Sequence, residues 1–503
     1  MPIHRELSGE QIHKPFRWIF ADETARNSKT ITDTLLEGHF ALQQSDDTIW
    51  MLIGTAPAVW KEVDSGGSAS NIQSSYYNIG NPGKQGFGVG IVPASILPAG
   101  MSILPGTETV GHDNYGNYQF QDGSIVCCVP IHWMKIGTGS NGLDVNDISV
   151  VPYSEYASES EANAAGYFLP RCFIDGGQVK ACYFVDKYHC SKNAWGTGYI
   201  ASSIKDGLPI STDSAHNPIA DLTACASNYY SEAINAAKAR DGENGNAAAD
   251  PQWFCCSRFI IVNLAMLSMA HGQAATATTY CAWYDAEGAT NYPKGCNNDA
   301  LGDIDDGTIS YISDGYDNCG KTGSGAPFAK TTHNGQNCGV ADLNGNMYRI
   351  NIGITSDGTS YYVADEATAM KDFTAGNSGA TDHWGATGIA AMMTEILIPY
   401  MEDGAWTYMG SGTNQVLSEV VAGNGSLLRS VGMPKDSGGY DGVGTNQFGK
   451  DGVYQYLLRN ELCVRSGGSW SGDSRAGVWY SDWYHPRASS GAYVGLSLAC
   501  YPV

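Results

Sequence analysis

The chain has 503 residues, which is too long for one ordinary compact core and favours about two to four folded units. Only 16% of the residues are charged, while Gly occupies 62 positions and Tyr 29, so the composition favours a loop-rich fold with short strands over a helical bundle. The formal net charge of −23 makes nucleic acid and anionic membrane surfaces poor partners.

The first 63 residues predict a small β-rich module. Three β-prone runs, 38–43, 48–53 and 58–63, are separated by polar turn residues. A meander of this size buries little apolar surface alone, so we expect it to complete its core against copies of itself or against a neighbouring protein. Residues 1–6 contain no apolar targeting segment, and no apolar run is long enough to span a bilayer. We therefore expect synthesis in the cytoplasm and no membrane insertion.

Residues 64–120 are predicted to be a linker followed by a connecting β region. Their first part, 64–86, is rich in Ser, Gly and Asn, the composition of a flexible segment or a long surface loop. From residue 121 to 503 the sequence is continuous and globular, beginning with β-prone runs at 124–130 and 182–188. We place the main domain there.

Two helices are predicted inside this domain. The first runs from Tyr229 to Arg240, with its apolar side chains on one face. The second is predicted to start at Asp250 as N-cap, with Pro251 in the first turn, and to continue to His271. About 230 residues of short segments punctuated by Gly, Asn and Asp follow. This order favours an α+β fold in which small twisted sheets carry long loops.

The cysteines are numerous but dispersed. There are 14 of them, without a CxxC motif and without the spacing of a zinc ribbon. Most are predicted to be buried thiols that act as small apolar side chains, and disulfides formed after release from the cell are left open. The pairs His189–Cys190 and His333–Cys338 lack the third group of a catalytic or metal site, so we expect structural roles for them.

Five short phrases occur in order along residues 121–503. They are FVDKY at 184–188, YCAW at 280–283, ADLNGNMY at 341–348, RSGGSW at 465–470 and VGLSLA at 494–499. Together they resemble strands and turns of the formylglycine-generating-enzyme branch of the C-type lectin fold. The resemblance implies a C-type-lectin-like domain over residues 121–503, with two helices and short twisted sheets.

Residues 467–500 combine two sets of positions. One contains small polar and aromatic side chains: Ser471, Asp473, Ser474, Tyr480, Asp482, Trp483, Tyr484, His485, Ser489, Ser490, Ala492 and Tyr493. The other is a scaffold: Gly467, Gly468, Trp470, Trp479 and Gly495. The mixture resembles the variable region of the phage major tropism determinant family, whose adenines are rewritten by a diversity-generating retroelement. Tyr and Trp supply stiff contact area and small polar residues adapt their hydrogen bonds, so the first set is the predicted ligand-binding face.

This resemblance implies a receptor-binding protein at a phage tail tip or fibre. The implied partners are a host cell-surface receptor, either protein or glycan, and other virion tail proteins held through the N-terminal module. The implied assembly is a homotrimer. Two alternatives stay open: a structural tail fibre or baseplate protein without a variable role, and a cellular diversified surface protein.

An oxidase is the enzymatic alternative, because the formylglycine-generating family uses a cysteine pair just after its GGS strand. Residues 469–486 contain no cysteine, and Cys463 and Cys500 lie outside this interval. GxSxG and HExxH motifs are absent as well, so the chain is predicted to be a binder and not an enzyme.

No cofactor is predicted apart from a candidate structural calcium ion. The acidic residues Asp303, Asp305 and Asp306 are the candidate ligands, and a solvated acidic loop is the other interpretation.

Overall fold

A computed structural model describes residues 18–21, 23–29, 40–43, 48–55, 58–62, 76–139, 142–286, 293, 295–375, 392–396, 404–409, 416–417, 425–433, 448, 450–455 and 459–503. The chain divides into two compact units, Met1–Tyr76 and Tyr77–Val503. The architecture is mixed α+β, with many short strands and few helices, as the composition and punctuation predict.

The first unit contains a four-stranded sheet. Its elements are β1 (Trp18–Phe20), α1 (Glu23–Asn27), β2 (Phe40–Gln43), β3 (Thr48–Thr55) and β4 (Ala58–Glu62). The last three strands form the antiparallel meander predicted from the sequence, and β1 adds a parallel strand beside β2. Because β3 lies between two neighbours, its Leu52 side chain is fully buried.

The second unit contains the remaining elements. Its strands are β5 (Met101–Ile103), β6 (Asn117–Phe120), β7 (Ile125–Pro130), β8 (His132–Gly139), β9 (Gly142–Pro152), β10 (Ile174–Asp175), β11 (Gln178–Val179), β12 (Cys182–Asp186), β13 (Cys190–Trp195), β14 (Gly198–Ser203), β15 (Trp253–Cys255), β16 (Tyr348–Asn351), β17 (Ile354–Ser356), β18 (Tyr361–Ala364), β19 (Met393–Ile396), β20 (Ala405–Tyr408), β21 (Val416–Leu417), β22 (Gly452–Gln455), β23 (Val464–Ser466), β24 (Ser481–Trp483), β25 (Val494–Gly495) and β26 (Leu498–Cys500). Its helices are α2 (Glu159–Ala164), α3 (Glu232–Lys238), α4 (Arg258–Ala274) and α5 (Gly425–Ser430).

The first large sheet of this unit has six strands in the order β15–β26–β12–β7–β6–β5. Strands β5 and β6 belong to it, so residues 77–120 are part of the second unit and the boundary we predicted at 120/121 is wrong. In the described part of the Gly-rich stretch 64–86, Gly80 and Gly86 lie in tight turns, each with a positive φ angle of 79°. Residues 64–75 lie outside the described residues.

The long helix α4 begins later than the sequence predicts. The N-cap is Ser257, whose Oγ accepts a hydrogen bond from the Ile260 N–H at 3.3 Å, and not Asp250. The residues in between form β15, which pairs with the C-terminal strand β26. Helix α4 is buried along most of its length, so its apolar residues lie on every side and carry no amphipathic signal. Helix α3 is shorter at both ends than the predicted 229–240 segment.

The second large sheet has the order β20–β22–β24–β23–β16–β25 and contains much of the predicted binding region. Strand β24 pairs antiparallel with β23 and parallel with β22, and β25 pairs parallel with β16. Residues 467–480 and 484–493 connect these strands. The sheet therefore fixes both ends of each connection and displays the residues between them.

All 14 cysteines are buried and none forms a disulfide, in agreement with the prediction that most of them are buried thiols. Burial raises the pKa of Cys127 to about 12, with the same direction at Cys255 and Cys500. Within the described ranges, no helix is both long and apolar enough to cross a membrane.

Candidate ligand-binding face

The C-terminal segment starts with two glycines. Any other residue at these positions would force the neighbouring atoms to shift. Gly467 and Gly468 have φ angles of 94° and 90°. A Cβ atom on Gly467 would lie 2.6 Å from the Leu343 carbonyl oxygen, and one on Gly468 would lie 2.5 Å from Ala476 Cβ. The chain thus crosses closely over the turn that precedes β16, and this contact sets where residues 469–476 emerge.

Three tryptophans fill the space below the segment. Trp470, Trp479 and Trp483 are 4%, 0% and 0% exposed. The Trp479 indole N–H points at the Met269 sulfur of α4, at 2.9 Å. Trp483 was predicted to contact the ligand, but its ring is enclosed and its Nε1 donates to Ser481 Oγ at 3.0 Å. The Tyr361 ring packs against it edge-on at a centroid distance of 5.6 Å, so we assign Trp483 to the framework.

Asp482 is also part of the framework and not of the exposed face. Its carboxylate pairs with the Arg465 guanidinium, and the two side chains are 8% and 3% exposed. Asp482 Oδ1 accepts the Tyr484 backbone N–H at 2.9 Å, and Arg465 Nη1 donates to the Tyr230 hydroxyl at 3.1 Å. Burial alone would lower the pKa of Arg465, but Asp482 and the neighbouring tyrosines outweigh it and raise this pKa. The guanidinium therefore stays charged.

Above this framework runs a continuous row of rings, which we call the aromatic belt. Successive ring centroids are 4.7 to 6.0 Å apart. In order, its members are Trp470, Tyr493, Tyr348, Tyr480, Trp406, Tyr454, Tyr484, His485 and Tyr230. Rings at these separations support one another through edge and offset contacts, so each is held near one orientation.

Arginine side chains brace the belt. The guanidinium groups of Arg475, Arg465 and Arg459 lie 4.4, 4.3 and 4.8 Å from the ring centroids of Trp406, Tyr348 and Tyr484. The three arginines and the rings of the belt thereby form one layer in which cations lie against aromatic rings. Burial, together with the charges of Arg465 and Arg459, lowers the pKa of His485 to about 4, so its imidazole is neutral at pH 7.

The structure divides the predicted contact residues into three groups by exposure. Ser471, Ser490 and Tyr493 are exposed. The half-buried ones are Asp473, Ser474, Tyr484, His485, Ser489 and Ala492. Tyr480, Asp482 and Trp483 are buried, although Tyr480 reaches the wall of a groove. Small polar groups and ring edges therefore alternate on the accessible surface, while the largest aromatic groups lie beneath it.

This groove has a volume of about 170 Å³ and lies beside the belt. Tyr348, Trp406 and Tyr480 form one side, and the turn between Gly468 and Ala476 forms the other. Asp473 and Arg475 line the turn side as a 2.5 Å ion pair with side chains 47% and 36% exposed. A ligand group entering the groove would meet aromatic faces together with a carboxylate, a guanidinium and serine hydroxyls.

The acidic residues proposed as calcium ligands are already engaged in turns. Asp303 Oδ1 accepts the backbone N–H groups of Asp305 and Asp306 at 2.7 and 3.0 Å. The ammonium groups of Lys450 and Lys330 lie 2.8 and 2.7 Å from Asp305 and Asp306. These ammonium groups compete with a cation, so the arrangement favours the interpretation as a hydrogen-bonded acidic loop.

No protein-family model matches the chain, and no curated protein sequence does. Among solved structures, PvdO from Pseudomonas aeruginosa is 10% identical with a TM-score of 0.25, and the match covers 76% of this chain and 97% of PvdO. The Major Tropism Determinant I1 variant is 11% identical with a TM-score of 0.19, covering 97% of this chain and 100% of the variant. The P3c variant is 10% identical with a TM-score of 0.20, covering 97% and 99%. These are distant similarities that do not establish a common fold, so the site is judged from its own geometry.

The sequence did not point to four members of the belt. Tyr230, Tyr348, Trp406 and Tyr454 lie outside residues 467–500 and come from separate parts of the chain. Tyr348 ends one of the phrases discussed above, which is a weak local signal. Trp406 and Tyr454 have none, because only the pairing of β20, β22 and β24 brings their rings next to the C-terminal segment. Tyr230 comes from the segment before α3, where its backbone N–H donates to the Ser489 carbonyl at 3.0 Å.

Proposed function

We propose that this chain is a phage tail receptor-binding protein whose second unit is a C-type-lectin-like binding domain. The aromatic belt is the observation that carries the proposal, because it holds accessible side chains such as Tyr493 between buried rings. The residues that would touch a host receptor are the exposed and half-buried ones of the C-terminal segment, with Tyr493 at the centre. No reaction is part of this proposal.

The physical basis is preorganisation. A free tyrosine loses side-chain entropy when a ligand immobilises it, whereas a ring already fixed by its neighbours loses less. Tyr493 is 38% exposed and is braced by Trp470 and Tyr348 at centroid distances of 6.0 and 5.7 Å. Ser471 and Ser490 beside it can be changed without disturbing any packed group. In such an arrangement the exposed side chains can vary while the buried framework stays constant.

A binding assay tests the proposal. Labelled full-length chain is applied to a panel of intact bacterial cells, and the variant Tyr493→Ala is compared with the matched variant Tyr199→Ala. Tyr199 is 47% exposed and lies on β14, outside the belt. Loss of an interfacial tyrosine costs about 1 to 3 kcal/mol, so we expect roughly 10- to 100-fold weaker binding for Tyr493→Ala and no change for Tyr199→Ala. Equal binding by both variants on every cell that binds the wild type would contradict the proposal.

Diversification of the face has its own test, which needs no ligand. Clones of the same phage are sequenced over residues 467–500, together with the adjacent DNA. We expect changes at exposed or half-buried positions such as Ser471, Tyr484, Ser490 and Tyr493, beside a near-copy of the segment that differs at adenines and a reverse-transcriptase gene. An invariant segment without such a copy would favour the structural tail protein, our second candidate.

The proposed assembly is a homotrimer attached to the virion through the first unit. Several trimers on one particle would turn weak single contacts into firm attachment through effective concentration. Light scattering of the full-length chain should give three times its 53.6 kDa mass, and a monomer would contradict this part.

A further inference from the structure

Beneath the binding face, three side chains from two loops meet in the interior. His216, Asp314 and Cys319 each offer one ligating atom, and these atoms all lie within 4.8 Å of one another. The His216 and Asp314 side chains are 1% and 0% exposed, and Cys319 is 0% exposed. A nitrogen, an oxygen and a sulfur ligand are thus gathered in a site closed to bulk water, outside the aromatic belt.

The orientation of the imidazole is fixed from both sides. His216 Nδ1 lies 2.6 Å from the Ala492 carbonyl oxygen, which can only accept, so Nδ1 must carry a proton. The Tyr316 ring stacks on the imidazole at 4.2 Å, and the Trp470 ring meets it edge-on at 5.7 Å. Nε2 is thereby aimed at Asp314 Oδ2, 2.6 Å away. A ring whose Nδ1–H is held by a carbonyl presents Nε2 as a ligand, which is how histidines that bind metals are oriented.

The other two ligands are fixed by a tight loop. Asp314 Oδ1 accepts the Tyr316 N–H at 2.8 Å, which leaves Oδ2 directed at the imidazole. The Asp314 N–H donates to the Cys319 carbonyl, and the Cys319 N–H donates to the Tyr316 carbonyl, both at 3.0 Å. The contacts of the Cys319 sulfur with the Gly320 carbonyl and Asn346 Oδ1 are 3.6 Å long, so they hold it weakly. The thiol can therefore turn towards a cation without losing a strong bond.

Either a proton or a divalent cation can balance the charges of these three side chains. With a proton on Nε2, an imidazolium pairs with the Asp314 carboxylate, and the site is neutral with a neutral thiol. With a divalent cation, one positive ion is neutralised by the carboxylate and a thiolate. Because Cys319 is fully buried, a thiolate there needs a cation beside it to balance its charge.

We propose that His216, Asp314 and Cys319 bind one zinc ion. Binding releases two protons, one from the Cys319 thiol and one shared between His216 Nε2 and Asp314, so charge is conserved. Imidazole, thiolate and carboxylate together suit zinc, whereas calcium and magnesium require oxygen ligands. The ion cross-links the loop that contains His216 and the loop of residues 314–319. Through the Nδ1–H bond to Ala492 it also supports the chain next to Tyr493, a role that does not depend on what the face binds.

Metal analysis of the untagged full-length chain tests this site. After purification with zinc and extensive dialysis, we expect about one zinc ion per chain by mass spectrometry. Cobalt substituted for zinc should give a thiolate-to-cobalt charge-transfer band in the near ultraviolet. Cys319→Ser should abolish this band and lower the zinc content, whereas Cys225→Ser, a buried thiol elsewhere in the second unit, should change neither.

The outcomes separate the two occupants. A wild-type chain without zinc and without the cobalt band would overturn the proposal and leave the imidazolium–carboxylate pair. Zinc retained in full by a folded Cys319→Ser chain would also overturn it, because the ion would then be held elsewhere. If Cys319→Ser does not fold, the wild-type cobalt spectrum and the Cys225→Ser control still decide. Loss of receptor binding plays no part in this test.

Discussion

Replacing Asp482 with asparagine keeps the shape of the side chain but removes the carboxylate that pairs with the buried Arg465 guanidinium. The sequence placed Asp482 among the ligand contacts, whereas the structure places it behind the face. The two locations predict different losses in the free energy of unfolding. Removing the charge of an exposed contact residue has little effect on folding. Removing the charge of a residue that pairs with a buried arginine destabilises the fold.

The magnitude follows from the burial of the pair. Removing one partner of a buried ion pair costs roughly 3 to 5 kcal/mol, because the remaining charge has lost its compensation. Asparagine keeps one of the two oxygens, so it can still accept from the Tyr484 N–H or from Arg465, although not from both. We therefore expect a value near the lower end, about 3 kcal/mol. The matched control is Asp473→Asn, whose carboxylate also pairs with an arginine but at the surface, and whose cost should stay below about 1 kcal/mol.

Equilibrium unfolding in urea, followed by tryptophan fluorescence, measures both variants. The chain has two compact units, so the transition of the second unit must be fitted separately. Adding Arg465→Met to Asp482→Asn should recover part of the lost stability, because no uncompensated charge then remains. Equal and small losses for Asp482→Asn and Asp473→Asn would refute the assignment of Asp482 to the framework.

Two further expectations concern the core. Trp483→Ala should cost about 3 to 5 kcal/mol in the same assay because it empties a fully buried site, and a loss below 1 kcal/mol would return Trp483 to the exposed face. Burial lowers the pKa of His132 to about 4 and of His333 to about 3, whereas both titrate near 6.5 when unfolded. Between these values the unfolded chain binds more protons, so stability should fall as the pH drops from about 6.5 to 4, by up to about 3 kcal/mol for His132. His132→Gln should flatten that slope, and an unchanged slope would show that His132 is not its source.

Local sequence was sufficient for several parts of the fold. The N-terminal meander follows from β-prone runs separated by polar turns, and these signals lie within a few residues of each other. The buried state of the cysteines follows from their scatter among apolar neighbours and the lack of a metal-binding spacing. Gly467 and Gly468 were predicted to belong to the scaffold, and both adopt a positive φ that glycine reaches without strain.

The start of α4 shows where local signals compete. Asp250 and Pro251 have the chemistry of a helix start, and Ser257 has it too. Strand pairing with β26, at the far end of the chain, commits Trp253–Cys255 to a sheet and leaves Ser257 as the cap. A partner so distant in sequence leaves no trace in a local pattern.

The sequence by itself determined which kinds of side chain gather at the C-terminal segment: small polar and aromatic groups on a glycine and tryptophan scaffold. Only the tertiary structure decided which of them face water. Asp482 and Trp483 are buried because Arg465 and Tyr361 pack against their side chains, while Tyr484 and Tyr493 reach the surface. Burial is set by what packs on a residue from elsewhere in the chain, and composition carries no record of that packing.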